Sequence, residues 1–274
     1  MEIKSMKSIM YLVFILTLLL SFKSIACEGP YLLKVGAFFN TTSLVTFWSD
    51  FTQQLTIKTK CPVNIKPSST FKSYVIDLIN KTGDIFLIPS HYAYTLQKYG
   101  YIPVLKVVSR TKMHLITQKQ YDPNDLTTLA KKNISVPSKY SAGYAIIKLE
   151  FEKLGLLDTV NFVYGDTLQS NSIKVLRGES DATVIFSPVF DLLPQPIKDR
   201  INTSTLLEDP VAGYIMVKPG TPQKLIDAIQ TSHEHISILE WSPTNSIEKR
   251  SSISYVFEEQ FLALLNEAKL KDLP

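Results

Sequence analysis

The stretch VIDLINKTGDIFLIP, residues 75–89, reads as a helix that ends at a glycine, an acidic residue that opens a strand, and a strand that closes at a proline. The stretch SIKVLRGESDATVIFSP, residues 172–188, follows the same grammar. Gly83 and Gly178 are suited to the left-handed residue that ends a helix. Asp84 and Asp181 would open strands whose far ends, at Pro89 and Pro188, face one cleft. Two such units point to two α/β halves of similar build, the alternative being a chance resemblance of two ordinary αβ units.

Working outward, LLKVGAFF (32–39) reads as a strand. Residues 43–56 form a helix with Leu44, Phe47, Trp48, Phe51 and Leu55 along one face, and VNIKPS (63–68) is a second strand. A helix over 70–80 turns Phe71, Val75, Leu78 and Ile79 inward and leads into the strand already named. This is βαβαβ, which predicts a parallel sheet with right-handed crossovers. The syntax returns as ISVPS (134–138), a helix over 142–154 closed by Gly155, VNFVYGD (160–166), a short helix over 172–176, and ATVIFSP (182–188). Between the halves, KVVSRTKMHLIT (106–117) and LLEDPVAGYIMV (206–217) are extended and complete no βαβ unit. They read as two crossing strands. The expected division is 27–110 plus 212–274 for one lobe and 111–211 for the other, with a helical tail after Pro222 packed on the first. Two lobes on two crossovers make a hinged cleft, and open α/β sheets bind ligands beyond the carboxyl ends of their strands.

The first 26 residues predict a cleaved signal peptide. Lys4 and Lys7 precede an apolar run over residues 9–20, too short to span a bilayer, and Ser24-Ile25-Ala26 fits a small-x-small cleavage site. The alternative is an uncleaved anchor. Cleavage leaves about 248 residues, with 26 basic against 24 acidic, a net charge of +2. That balance carries no nucleic-acid or membrane footprint. The mature chain keeps two cysteines, Cys27 and Cys61, each just ahead of a strand. If those strands are parallel neighbours, both sulfurs lie at one sheet end, which suits a disulfide in an exported protein. Lipid attachment at Cys27 is the competing reading.

The stretch SVPSKYSAGYA, residues 135–145, passes from strand to helix through Ser138, Ser141 and Gly143. A plain N-cap explains such a junction. So does a pocket holding an anion on backbone N–H groups, because a helix start carries about half a positive charge and unpaired donors. Such a site holds an oxyanion without Arg or Lys.

In order and spacing these segments resemble the type 2 periplasmic binding proteins, in particular the phosphate- and phosphonate-binding components of ABC transporters. The resemblance covers most of residues 31–235. VGAFFNTT resembles the family's first strand and ligand loop, and PSSTFKSYVIDLINKTGDI its next strand and Ser/Thr-led helix. IPSHYAY resembles Gly-Pro-x-x-Tyr with Ile88 in place of glycine, and VPSKYSAGY resembles the anion loop. The resemblance implies two Rossmann-like lobes joined by two crossover strands. It also implies a small oxyanion ligand, held by the hydroxyls of Ser138 and Ser141 and the amides of Ala142 and Gly143, with Thr70 and Tyr92 contributing from across the cleft. The implied setting is the periplasm, with an ABC permease in the inner membrane as partner, no cofactor, no nucleic acid, and a monomer. The family's histidine loop here reads YGDTLQSNS, without histidine, and its aspartate next to serine reads Phe186-Ser187. An aminoalkyl ligand would therefore lack a counter-charge.

The pair His233 and His235 lacks the spacing of metal ligands on one helix face and has no third ligand nearby. No Gly-x-Ser-x-Gly occurs and no acid/base set converges, so an enzyme on this fold is the weakest reading. Asp50 and Asp77 are expected on exposed helix faces, and Glu208-Asp209 on the hinge surface. A binder of a non-phosphorus molecule, and a ligand sensor that docks on a receptor, are the remaining alternatives.

Overall fold

The computed structural model describes residues 27, 29–37, 41–165, 167–209, 213–247 and 253–271. The signal-peptide reading lies outside these residues, as do the side chains of Glu208 and Asp209.

The first sheet begins with the expected βαβαβ unit. Strand β1 (Tyr31–Val35) runs parallel to β2 (Val63–Pro67) and to β3 (Ile85–Pro89), with Tyr31 opposite Val63 and Leu33 opposite Ile85. Helices α1 (Thr41–Thr59) and α2 (Phe71–Ile79) make the crossovers, and α3 (Ser90–Lys98) follows β3 directly. Strands β4 (Ile102–Val107), β10 (Gly213–Val217) and β11 (Trp241–Pro243) complete the order β11-β4-β10-β3-β1-β2. Strand β10 is antiparallel to both β3 and β4.

The side chains of β3 and β10 alternate between two cores, as the two-residue strand period requires. Ile85, Ile215 and Val217 join Leu44, Trp48, Phe51 and Leu55 of α1 and Leu225 and Ile229 of α8 (Gln223–Gln230). Phe86, Ile88, Tyr214 and Met216 join α2, α3 and the terminal helix α9 (Ser254–Lys271). Burial on both faces explains why these strands read as unbroken apolar runs. Each such side chain stabilises the fold by roughly 1.5–3 kcal/mol.

The second sheet has the order β7-β6-β8-β5-β9, from β5 (Thr111–Gln118), β6 (Asn133–Val136), β7 (Asn161–Tyr164), β8 (Ala182–Phe186) and β9 (Ile201–Asp209). Strand β6 is parallel to β7 and β8, while β5 is antiparallel to β8 and β9. Helix α4 (Ala142–Lys153) links β6 to β7, and α5 (Leu168–Arg177) links β7 to β8. Short helices α6 (Ser187–Asp191) and α7 (Gln195–Lys198) precede β9. Each expected crossing strand resolves into two strands, one per sheet: β4 then β5 on the way out, β9 then β10 on the way back.

Four local readings change. Helix α2 ends in a Schellman turn, with Lys81 N–H on the Leu78 carbonyl and Thr82 N–H on the Asp77 carbonyl. The left-handed residue is Lys81, at φ 53°, and not Gly83. Gly83 instead lets the chain approach Lys34, whose Cγ would lie 2.5 Å from an added Cβ. At the end of α5, Gly178 does adopt the expected conformation, at φ 74°. Helix α5 starts at Leu168 rather than 172, because Thr167 and Ser170 form a reciprocal capping box. Asp77 is not on an open face. Its carboxylate meets Lys34 Nζ at 3.0 Å, Ser68 Oγ at 2.6 Å and Thr82 Oγ1 at 2.5 Å. The tail packs on the first sheet as expected, but Ile253 and Val256 also pack against Ala145 and Ile146 of α4.

Neither cysteine is free: Cys27 and Cys61 are both disulfide-bonded. A sulfur held in a disulfide is closed to thioether acylation, so the disulfide and the lipid anchor at Cys27 exclude each other. Among the described residues no helix is long and apolar enough to cross a membrane.

Candidate ligand-binding cleft

A cleft opens where strands of both sheets end and helices begin. From the first sheet it is lined by Leu87, Ile88 and Pro89 of β3, Val107 of β4 and Gly213 of β10. From the second sheet come Thr111 and Met113 of β5 and Phe186 at the end of β8. The first residues of four helices reach it: Phe71 of α2, Ser90 and His91 of α3, Ala142 and Gly143 of α4, and Leu168 of α5. Trp48, Ile238, Leu239 and Trp241 form an apolar wall. The cavity is about 130 Å³, several times the roughly 30 Å³ share of one water, so it admits a multi-atom guest.

None of the described residues lining it is charged. Its electrostatics therefore come from helix starts, each equivalent to roughly half a positive charge. The best defined is that of α4. Ser141 caps the helix, its Oγ accepting from Tyr144 N–H at 3.2 Å, while Ala145 N–H donates to the Ser141 carbonyl. The amides of Ala142 and Gly143 are left without an acceptor among the described residues, as the first turn of a helix dictates. Gly143 also lets α4 lie close on β8, since an added Cβ would sit 3.2 Å from Val184 Cβ.

The expected site residues divide. Ser141, Ala142 and Gly143 come together on the cleft. The Ser141 hydroxyl is occupied on both sides, since it also donates to the Ser138 carbonyl at 2.7 Å. Ser138 is not among the lining residues; its Oγ accepts from Tyr140 N–H at 3.2 Å and shapes the turn. Thr70 is exposed, caps α2 through a reciprocal box with Ser73, and is likewise absent from the lining. Tyr92 is fully buried, stacked on Phe257 at 3.6 Å, and its phenol donates to the Tyr140 carbonyl at 2.5 Å. Burial raises that phenol well above the ordinary tyrosine range.

Sequence reasoning missed His91. It lines the cleft, packs edge-on against Tyr92, and lies with Nε2 3.5 Å from the Tyr140 carbonyl. Burial holds it neutral, lowering its pKa to about 3 against a small opposing pull from that carbonyl. Its Nδ1, and Nε1 of Trp48, are buried without a partner among the described residues. The signal available was position: His91 lies two residues past the carboxyl end of a strand, in the first turn of the helix that follows. The pair His233 and His235 lies in a 3₁₀ turn, with His235 Nδ1 2.8 Å from Asp50. Among the described residues no three metal-ligating side chains gather.

Residues 35–233 match the family described as ABC transporter, phosphonate, periplasmic substrate-binding protein. The chain belongs to this family. As a member it is a solute-binding component of a transport system, with a small-molecule ligand and an ABC permease as its family's partners. No curated protein sequence matches it. Among solved structures, PhnD1 from Prochlorococcus marinus in complex with methylphosphonate is similar, at 12% identity and a TM-score of 0.66, over 87% of this chain and 98% of that one. A binding component of an ABC phosphonate transporter from Pseudomonas aeruginosa is 12% identical, with a TM-score of 0.66 over 89% and 94% of the two chains. A Xanthomonas citri protein bound to ATP is 10% identical, with a TM-score of 0.61 over 88% and 98%. At these identities the likeness is one of fold, the type 2 periplasmic binding protein fold.

Proposed function

We propose that this protein is exported by a cleaved signal peptide, residues 1–26, and works as a monomer in the periplasm. It would clamp a small phosphonate-like oxyanion between lobes formed by 27–110 plus 212–274 and by 111–211. It then hands the ligand to an inner-membrane ABC permease, without catalysis, cofactor or nucleic acid. The observation that carries this reading is the uncharged start of α4, where the amides of Ala142 and Gly143 stand open on the cleft. Buried donors select an oxyanion because each one left unpaired by a wrong guest costs about 1–3 kcal/mol. Ser138, Thr70 and Tyr92 then act on the ligand by shaping the turn, capping α2 and bracing Tyr140. Contact with the ligand falls to the Ala142 and Gly143 amides, while the Ser141 hydroxyl holds the turn that presents them.

The test is a thermal-shift screen of the mature protein against methylphosphonate, phosphite, phosphate and sulfate, with neutral heterocycles as controls. Binding to the folded state raises the melting temperature by mass action. A dose-dependent rise with the phosphorus oxyanions is expected; a rise confined to the neutral compounds contradicts the assignment.

A further inference from the structure

Part of the cleft wall does more than exclude water. Trp48 and Trp241 meet edge-to-face, ring centroids 5.9 Å apart at 67°, and both line the cleft. Next to them Leu239 is held at φ 63°, a conformation that costs a branched, bulky residue energy and clusters at functional sites. The loop is pinned in place on both sides. Glu240 N–H donates to Ser109 Oγ at 2.6 Å, Val108 N–H to the Glu240 carbonyl at 2.9 Å, and Trp241 Nε1 to the Ile238 carbonyl at 2.9 Å. A strained, over-determined loop thus presents Ile238 and Leu239 to the cavity beside two indoles. Phe186, at the end of β8, shares the lining, and no carboxylate is among the described residues that line the cleft.

We propose that the ligand is an organic oxyanion with an uncharged aromatic substituent, its ring seated on the wall of Trp241, Ile238 and Leu239, which the buried Trp48 backs, while its anionic head meets the start of α4. This rests on the oxyanion reading above and names the substrate class within it. An aromatic ring gains area and edge-to-face geometry on such a wall. An ammonium there loses water and finds no counter-charge.

Titration calorimetry on the mature protein with methylphosphonate, phenylphosphonate and 2-aminoethylphosphonate tests it. Phenylphosphonate is expected to bind at least tenfold tighter than methylphosphonate, and 2-aminoethylphosphonate at least tenfold weaker. The variant Leu239→Gly removes a wall side chain and places glycine where positive φ carries no Cβ penalty, so folding is retained. It should cut the phenyl-over-methyl preference at least fivefold. If methylphosphonate binds but phenylphosphonate binds no tighter, or if Leu239→Gly weakens both equally, this inference fails and the oxyanion function stands. If none of the three anions binds, the oxyanion function fails and takes the inference with it.

Discussion

His91 couples the cleft to acid stability. Between about pH 6.5 and 3 the unfolded chain carries a proton on this imidazole and the folded chain does not. Stability is therefore unaffected by the group above pH 6.5 and falls on acidification through the window, by about 1.4 kcal/mol per pH unit. Urea denaturation across that range should show a flatter profile for His91→Gln than for the wild type. Ser141→Ala removes a cap and should cost about 1 kcal/mol, read in the same assay, while weakening oxyanion binding less than a lost direct contact would. Ser141, Ala142 and Gly143 were legible because small polar residues at a strand-to-helix junction mark a helix start. The division of labour between hydroxyl and amide was not. It depends on Ser138 offering its carbonyl back to Ser141, a contact fixed by turn geometry rather than residue type.

At the scale of elements, the apolar period predicted the helices and strands, and the errors lie at their ends. Helices α1 and α2 are each followed by a lysine in left-handed conformation, Lys60 at φ 61° and Lys81 at φ 53°, where sequence rules look for glycine. Asp77 looked solvent-facing because its partners, Lys34 on β1 and Ser68 after β2, arrive only with the folded sheet. Burial would raise its carboxyl, but the Ser68 and Thr82 hydroxyls and Lys34 together hold it below the usual aspartate range. Its contribution to stability is thus present above the ordinary aspartate value near 3.8 and is lost as pH falls through the lower folded value. Asp77→Asn leaves the Lys34 ammonium, with 5% of its side chain exposed, without its carboxylate. A loss of about 3–5 kcal/mol is expected in denaturant titrations, much of it recovered by adding Lys34→Met.

Across the whole molecule, two sheets connected by two strand pairs place helix starts around one uncharged cavity. The two-lobed plan was legible from the echo of residues 75–89 in 172–188. The apolar wall was not, because Trp48, Ile238, Leu239 and Trp241 come from places nearly 200 residues apart in the chain. Reducing the disulfided cysteines should lower stability by about 2–4 kcal/mol, seen by calorimetry with and without reductant. The central claim is that an anion is gripped by amides at the start of α4, and amide NMR reads it directly. On titration with methylphosphonate, the Ala142 and Gly143 N–H resonances should move downfield together and saturate with the binding curve. If both stay still while the protein binds the anion, the oxyanion site lies elsewhere and the account is wrong.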